Sequence, residues 1–325
     1  MGESAPEAAR ISLQDVEAAQ RRVGRRVRRT PQLPSDTGVS LKCEFLQHTG
    51  SFKARGAFNR LLAAQERDEL DPSVGVVVAS GGNAGLAYAY AAVQLAVPVT
   101  VFVPTTAPEV KVRRLHAYGA SVQQTGQEYA DAQEAAVAFA QSSGALLGHA
   151  YDEADMAAGA GTIALEMLED QPDLDTVVLS VGGGGLLAGV LAGLDGRARV
   201  VAVEPFTAPS LREALAAGRP ADVPVSGVAA DSLGARRIGE IGFDLARRAG
   251  VSSILVSDDD IVAARLKLWQ EYRVAAEHGA AASLAALTSN RYRPSTGERV
   301  CVLICGANTD PSTLTVLAGS QDEPP

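Results

Sequence analysis

Cysteine and histidine are both scarce in this chain of 325 residues. The three cysteines, Cys43, Cys301 and Cys305, form no CxxC pair, which excludes a disulfide framework and is typical of a protein of the reducing cytoplasm. The four histidines show no metal-ligand spacing, so a catalytic zinc is not expected. We therefore expect a cytoplasmic protein whose chemistry does not depend on disulfides or zinc.

The chain also has no excess of positive charge and no long apolar run. The net charge of -9 argues against a nucleic-acid-binding surface, because phosphate contacts need a basic face. One basic run, RRVGRRVRR at 21–29, is predicted to be the solvated face of a helix. No apolar run reaches the roughly 18 residues of a membrane span, and the N-terminus lacks a charged-then-apolar signal pattern. We expect neither nucleic acid nor membrane as a partner.

A regular alternation of short β-branched runs with longer alanine-rich segments dominates the chain. Runs such as VGVVVAS (74–80) and PVTVFVP (98–104) predict buried strands, and segments such as 129–143 and 185–194 predict helices. Continuous apolar strands that are joined through helices imply parallel sheets covered on both faces. The sequence therefore predicts an α/β protein with two lobes and a cleft between them.

The two predicted lobes divide the chain unevenly. The block 75–147 holds its own series of strand–helix units, and a second series occupies 150–305. We predict a large domain formed by 1–74 and 148–325, with a small domain, 75–147, inserted in it.

Clusters of glycine follow two of the predicted strands. SGGNAG (80–85) and GGGG (182–185) both lead directly into helices, where backbone N–H groups at a positive helix end form a ready anion site. Neither cluster has the Lys-Ser/Thr of a P-loop, and the match to a dinucleotide fingerprint is poor, which disfavours a nicotinamide-dependent dehydrogenase. Four consecutive glycines exceed what a turn needs, so a phosphate monoester is one candidate ligand there. The loop at 80–85 could bind a carboxylate through Ser80, Asn83 and backbone amides.

One lysine is placed unusually. The segment QHTGSFKARGA (47–57) puts Lys53 at the opening turn of a predicted helix, next to Phe52. A phosphate site, a carboxylate site and such a lysine together suggest pyridoxal 5′-phosphate, which enzymes hold as a lysine Schiff base.

The segment LKCEFLQHTGSFKARGAFNRL (41–61) resembles the lysine segment of the fold-type-II pyridoxal-phosphate enzymes, specifically of the serine/threonine dehydratase (ammonia-lyase) family. The resemblance extends over nearly the whole chain and implies a lyase with two lobes, similar to the β subunit of tryptophan synthase, and with the cofactor in the interdomain cleft. The other matching blocks occur in the family's order: RTPQL (29–33), ASGGNAGLAYAYAAVQLAVPVTVFVP (79–104), HAYDEADMAAGAGTIALEM (149–167), VGGGGLLAG (181–189), VEP (203–205), EHGAAASLAAL (277–287) and CVLICGANTD (301–310).

The resemblance also implies residue roles by position. Lys53 would form the Schiff base and act as the base at Cα, Phe52 would lie against the cofactor ring, and Asn83 would hydrogen-bond the ring hydroxyl. Cys305 would lie opposite the pyridine nitrogen, where a thiol is a weak donor that favours prompt β-elimination over side reactions. The phosphate would bind the backbone N–H groups of Gly182, Gly183, Gly184, Gly185 and Leu186. The substrate carboxylate would bind the loop that contains Ser80, Gly81, Asn83 and Ala84.

The chain departs from the family pattern at two places that affect function. Serine racemases carry a serine at the position of Gly81, so racemase activity is not expected. The family's cation site is matched at Glu204 and Ala208, but Ser210 stands where an acid often lies, which leaves a monovalent or divalent cation open.

The leading hypothesis for function is β-elimination of water from a 3-hydroxy amino acid to give a 2-oxo acid and ammonia, with L-threonine or L-serine as the default substrate. A bulkier substrate such as a 3-hydroxyaspartate or a phenylserine stays open. A β-replacement enzyme is a weaker alternative, because its lysine segment usually reads SVKDR, and a non-catalytic sensor is weaker still. The family resemblance implies a homodimer.

Overall fold

The computed structural model describes residues 10–34 and 38–314. Its strands are β1 (Gln32–Leu33), β2 (Val39–Lys42), β3 (Val76–Ala79), β4 (Val99–Val103), β5 (Ser121–Gln124), β6 (Leu146–Leu147), β7 (Thr176–Ser180), β8 (Arg199–Pro205), β9 (Ser253–Val256) and β10 (Val300–Leu303). Its helices are α1 (Leu13–Val23), α2 (Lys53–Glu66), α3 (Asn83–Gln94), α4 (Glu109–Ala117), α5 (Tyr129–Ser143), α6 (Ala154–Asp170), α7 (Gly185–Leu194), α8 (Ser210–Ala217), α9 (Ala230–Leu233), α10 (Glu240–Arg248), α11 (Asp258–Tyr272) and α12 (His278–Thr288).

The strands form two sheets. A six-stranded sheet has the order β1-β2-β10-β7-β8-β9 and is parallel except for β1, which pairs antiparallel with β2. A four-stranded sheet has the order β5-β4-β3-β6 and is parallel throughout. The prediction of an α/β fold with parallel sheets covered by helices is confirmed.

The central strands are buried on both faces, because helices cover both sides of each sheet. Every residue of β3, β7 and β10 is buried. Strands β3 to β6 fall between residues 76 and 147, close to the limits expected for the small domain. The domain boundaries themselves stay a prediction. No helix in the described ranges is long and apolar enough to cross a bilayer.

The prediction of a helical face over residues 21–29 is wrong. Helix α1 ends at Val23, where Gly24 follows, so most of the basic run lies outside the helix. The arginines there pair with acids elsewhere: Arg22 with Glu66, and Arg29 with two carboxylates of α6. The Arg22 pair attaches the end of α1 to α2, and the Arg29 pairs attach the segment after α1 to α6.

A cluster of buried charges joins β2, α2 and α6 behind the lysine segment. Arg55 on α2 is fully buried and donates to both Glu44 and Glu166 at 2.7 to 2.9 Å. Lys42 at the end of β2 is also fully buried and donates to Glu166 at 2.7 Å. The positive charges of Lys42 and Arg55 therefore balance the negative charges of Glu44 and Glu166 inside the protein. Arg55 lies two residues after Lys53 in the chain.

Candidate active site

Lys53 opens helix α2 directly after a turn that contains two left-handed residues. Thr49 (φ 61°) and Gly50 (φ 78°) are both left-handed, and Ser51 returns to extended backbone. Glycine populates the left-handed region at little cost, whereas threonine does so rarely. The helix start predicted at Lys53 is confirmed.

The backbone on either side of this helix start is fixed by the segment that follows β10. The Phe52 N–H donates to the Cys305 carbonyl at 3.1 Å, and Ser51 pairs with Gly306 in an antiparallel bridge. These contacts hold Lys53 and Cys305 in one site although they are far apart in sequence.

Lys53 is half-buried, and its amine lines a cavity. Nζ donates to the Ala150 carbonyl at 2.5 Å and lies 5.0 Å from the centre of the Phe52 ring. Burial lowers the pKa of Lys53 to about 8, and the nearby carboxyl of Glu277 partly offsets this effect. No carboxylate of the described residues forms an ion pair with Lys53, so much of the amine is neutral at mildly alkaline pH.

The glycine run after β7 forms a backbone cradle at the start of α7. Gly184 has the left-handed φ of +87°, which turns the chain into a ten-residue helix whose first N–H groups have no intrahelical acceptor. A Cβ on Gly183 would lie 2.3 Å from the Tyr151 ring, and one on Gly185 would lie 2.6 Å from the Tyr151 carbonyl. Only glycine fits at these positions, and the predicted donors Gly182 to Leu186 lie together.

Gly185 of the cradle and Lys53 line the same cavity. Ser210 Oγ supports the cradle from behind, since it donates to the Gly182 carbonyl at 2.8 Å. A bare backbone cradle next to a buried amine without a carboxylate partner fits the phosphate and the aldehyde of pyridoxal phosphate. The cavity is lined by Phe52, Lys53, Gly56, Ala150, Tyr151, Met156, Ala160 and Gly185.

The loop predicted to hold a carboxylate lies at the start of α3. Ser80 Oγ accepts the Gly82 N–H at 3.3 Å, and the helix begins at Asn83. Gly81 lines a second cavity, Ser80 is half-buried, and Ala84 is buried. A helix start with free N–H groups suits an anionic group of the substrate.

Asn83 belongs to a hydrogen-bonded group that the sequence did not reveal. Its amide nitrogen lies 2.9 and 3.2 Å from the two oxygens of Glu277, and its oxygen accepts from Asn308 at 2.6 Å. Asn308 in turn accepts from Arg114 at 2.5 Å. Asn83 is therefore held directly by neighbours from two other parts of the chain, one of which is held in turn by Arg114.

Glu277 is the member of this group that a closer sequence analysis could have found. It is an isolated acid directly before α12, whose residues 279–286 are all buried. It occupies the N-cap position, yet its side chain does not cap the helix and turns to Asn83 instead. Gly306 provides space for the carboxyl, since a Cβ there would lie 2.3 Å from Glu277 Oε1.

Replacing Glu277 with glutamine should stabilise the protein at alkaline pH. Burial raises the pKa of Glu277 from 4.5 to about 7, so the folded state favours the protonated carboxyl. The preference for the protonated carboxyl stabilises the folded state fully below pH 4.5, and this stabilisation is lost as the pH rises to about 7. At pH 8 the ionised Glu277 therefore lowers the free energy of unfolding by about 3 kcal/mol. Thermal unfolding of Glu277→Gln and wild type, both without cofactor, should show a higher Tm for the variant at pH 8 and similar values at pH 4.5.

A suitable control for this experiment is Glu271→Gln. Glu271 lies on the exposed side of α11, where it pairs with Lys267. The control should leave the pH dependence of Tm unchanged. A Tm difference for Glu277→Gln that is the same at both pH values would contradict the prediction.

Cys305 is buried and follows β10, next to the glycine run because β10 and β7 are neighbours. Burial raises the pKa of its thiol far above the ordinary value, so the group is an uncharged thiol at neutral pH. A neutral thiol is the weak donor that the sequence predicts at this position. Its contact with the pyridine nitrogen stays a prediction.

The predicted cation site contains a carboxylate that the protein already satisfies. Glu204 is fully buried and accepts the backbone N–H groups of Leu211 and Arg212 at 2.6 and 2.9 Å. Ser253 Oγ donates to it at 2.5 Å, and Ser210 Oγ lies 3.4 Å away. Ala208 is buried nearby in sequence. Among the described residues no group of three or more His, Cys, Asp or Glu side chains could hold a metal, and cation binding stays a prediction.

The chain is similar to known proteins over most of its length. Residues 23–306 match the family described as "Pyridoxal-phosphate dependent enzyme". An L-threonine ammonia-lyase of Geobacter sulfurreducens is 36% identical over 312 residues, which cover 93% of this chain and 77% of the relative. A phenylserine dehydratase of Ralstonia pickettii is 35% identical over 283 residues, which cover 86% of this chain and 85% of the relative.

The fold is similar to solved structures as well. The structure of maize serine racemase superposes with a TM-score of 0.88 at 30% sequence identity, covering 94% of this chain and 96% of the other. The names of these relatives differ in reaction and in substrate, although the fold and the family are the same.

Proposed function

This chain belongs to the pyridoxal-phosphate dependent enzymes, in the serine/threonine dehydratase group of fold type II, and on that premise we propose that it removes water from a small 3-hydroxy amino acid, L-threonine or L-serine by default. The products are a 2-oxo acid and ammonia, and the enzyme is a lyase. The observation that carries the proposal is the half-buried Lys53 amine, with a pKa lowered to about 8, which lines one cavity with Gly185 of the glycine cradle.

The residues of the site have separate tasks in this reaction. Pyridoxal phosphate, when bound, supplies the electron sink that makes the Cα proton of an amino acid acidic. Lys53 holds the cofactor and, as a neutral amine, takes the Cα proton. The backbone N–H groups of Gly182 to Leu186 bind the phosphate, and the loop from Ser80 to Ala84 holds the substrate carboxylate.

A bulkier 3-hydroxy amino acid is the second candidate substrate. A Cβ on Gly81 would meet only Val103 Cγ1, at 3.5 Å, and one on Gly82 would meet nothing within 4 Å. This open space next to the carboxylate loop leaves room for a larger substrate side chain. The name of one relative, a phenylserine dehydratase, supports the same substrate class. The proposed substrate class therefore includes 3-hydroxyaspartate and phenylserine.

Gly81 also bears on the choice between elimination and racemisation. Racemisation needs a second acid on the face of Cα opposite the lysine, and glycine has no side chain that could supply a proton. The relatives named serine racemase share the fold, but we propose that this chain releases a 2-oxo acid and little D-serine.

The test is a substrate panel with the purified, cofactor-loaded protein. L-threonine, L-serine, a 3-hydroxyaspartate, phenylserine and O-acetylserine with sulfide are each incubated with enzyme, and 2-oxo acid, ammonia, D-serine and cysteine are measured. We expect equal amounts of 2-oxo acid and ammonia from at least one 3-hydroxy amino acid. Cysteine as the main product, D-serine in excess of 2-oxo acid, or no product from any substrate would overturn the proposal. The homodimer that the family implies is checked on the same sample by light scattering.

A further inference from the structure

A continuous series of hydrogen bonds links the half-buried Arg114 on α4 to the buried Glu277. Arg114 donates to Asn308 Oδ1 at 2.5 Å, Asn308 Nδ2 donates to Asn83 Oδ1 at 2.6 Å, and Asn83 Nδ2 donates to Glu277 at 2.9 Å. Asn308 Nδ2 also donates to the Thr49 carbonyl at 2.8 Å, which uses its second proton. We refer to Arg114, Asn308, Asn83 and Glu277 as the amide relay.

Arg114 fixes the direction of the amide relay. A guanidinium can only donate hydrogen bonds, whether the carboxyl of Glu277 at the other end is protonated or ionised. Asn308 must therefore present its oxygen to Arg114 and its nitrogen to Asn83. Asn83 in turn must present its oxygen to Asn308 and its nitrogen to Glu277. A flipped amide at either position would place two donors or two acceptors against each other.

This direction restricts what Asn83 can offer to a ligand. Its oxygen is used by Asn308, and a single N–H can be shared between the two oxygens of Glu277. The remaining proton of the side chain is an N–H, and no other acceptor for Asn83 lies within the described residues. We propose that Arg114 and Asn308 are positioning residues that hold Asn83 as a donor only, so that it stabilises the ionised ring oxygen of the cofactor.

The charged and titratable groups around the relay are few. Lys53, Cys305 and Asp231 interact electrostatically with Glu277. Lys111 on α4 lines the same cavity as Arg114 and pairs with Asp231. The inference rests on the cofactor of the family and not on the identity of the substrate.

The decisive variant is Asn308→Asp, which keeps the size of the side chain but cannot donate to Asn83. Asn83 should then turn its nitrogen to residue 308 and its oxygen to the cofactor. We expect the pKa of the cofactor's ring hydroxyl, followed by the visible absorbance of the bound cofactor across pH, to rise by about one unit. Titration of the apoprotein with pyridoxal phosphate should show about tenfold weaker affinity.

Arg114 offers a graded comparison. Arg114→Met should weaken cofactor affinity by about threefold, whereas Arg114→Lys, which still donates, should stay within about twofold of wild type. Arg113→Met is the matched control, because Arg113 lies on the exposed side of the same helix, where it pairs with Glu109. Tm values of the apoproteins report any purely structural damage.

The outcomes separate positioning from general stability. A higher pKa of the ring hydroxyl in Asn308→Asp, together with rescue by Arg114→Lys, supports the inference. The inference is overturned if Asn308→Asp lowers the Tm of the apoprotein but leaves the ring-hydroxyl pKa and the affinity unchanged. It is also overturned if Arg114→Lys and Arg114→Met weaken affinity equally. None of these readouts uses substrate, so they do not depend on the outcome of the substrate panel.

Discussion

Replacing Lys53 with alanine should lower kcat by at least about 10³-fold, because the variant loses both the cofactor anchor and the base at Cα. No other amine can take the place of Lys53, because the residues that line the cavity include no second lysine. The Lys53 Nζ itself donates to the Ala150 carbonyl. Release of 2-oxo acid from the best substrate of the panel, and the visible absorbance of the bound cofactor, are the two measurements. Both should be lost together.

Two further variants make this result specific. Lys53→Arg keeps the positive charge but cannot form a Schiff base, and it should be as inactive as Lys53→Ala. Lys267→Ala, on the exposed side of α11, removes an amine paired with Glu271 and should keep full activity. A Lys53→Ala protein that retains colour and turnover would rule out the proposed role of this residue.

Replacing Arg55 with methionine should destabilise the protein by about 3 to 5 kcal/mol, because it leaves buried carboxylates without a partner. Methionine keeps an unbranched apolar side chain at this position but is shorter and carries no charge, so the change removes the charged guanidinium. Glu44 and Glu166 would then have only Lys42 as a buried cation. Urea unfolding at pH 7 measures the change in the free energy of unfolding.

The pH dependence of this loss has a defined sign. Burial raises the pKa of Glu166, but Arg55 and Lys42 outweigh it and hold the pKa below 4.5. The pairing therefore contributes stability above pH 4.5 that is lost as the pH falls through the lower pKa of the folded state. The difference between wild type and Arg55→Met should shrink in that acidic range.

The matched control for Arg55→Met is Arg22→Met. Arg22 is partly exposed and pairs with the exposed Glu66, and such surface pairs contribute about 0 to 1 kcal/mol. If Arg55→Met also lowers the free energy of unfolding by only about 0 to 1 kcal/mol, the buried cluster does not contribute the stability assigned to it.

The sequence predicts some helices with the limits that the structure shows. The helices predicted at 129–143 and 185–194 have the observed limits Tyr129–Ser143 and Gly185–Leu194, because alanine-rich composition and flanking glycines mark both ends. Strands β1 and β6 have two residues each and are defined by their partners in the sheet, so local pattern could not indicate them. The basic run at 21–29 misled for a similar reason, since Arg22 and Arg29 pair with acids that are remote in sequence.

The candidate site divides in the same way. Lys53, Asn83 and the glycine run lie in segments with a strong local pattern and a resemblance to a family. Glu277 and Asn308 also lie in segments that resemble the family, whereas Arg114 does not, and only the folded chain shows the hydrogen bonds that link these three residues to Asn83. Sequence reasoning thus identified the groups that meet the cofactor and missed those that orient them.

The left-handed turn before Lys53 has a consequence for how the protein tolerates mutation. Gly50 lies against Asn308, and a Cβ at position 50 would come within 2.9 Å of Asn308 Oδ1, the atom that accepts from Arg114. A substitution at Gly50 therefore disturbs the backbone before Lys53 and the side chain that orients Asn83 in one event. The effects of changes at positions 50 and 308 on stability and cofactor affinity should therefore be non-additive.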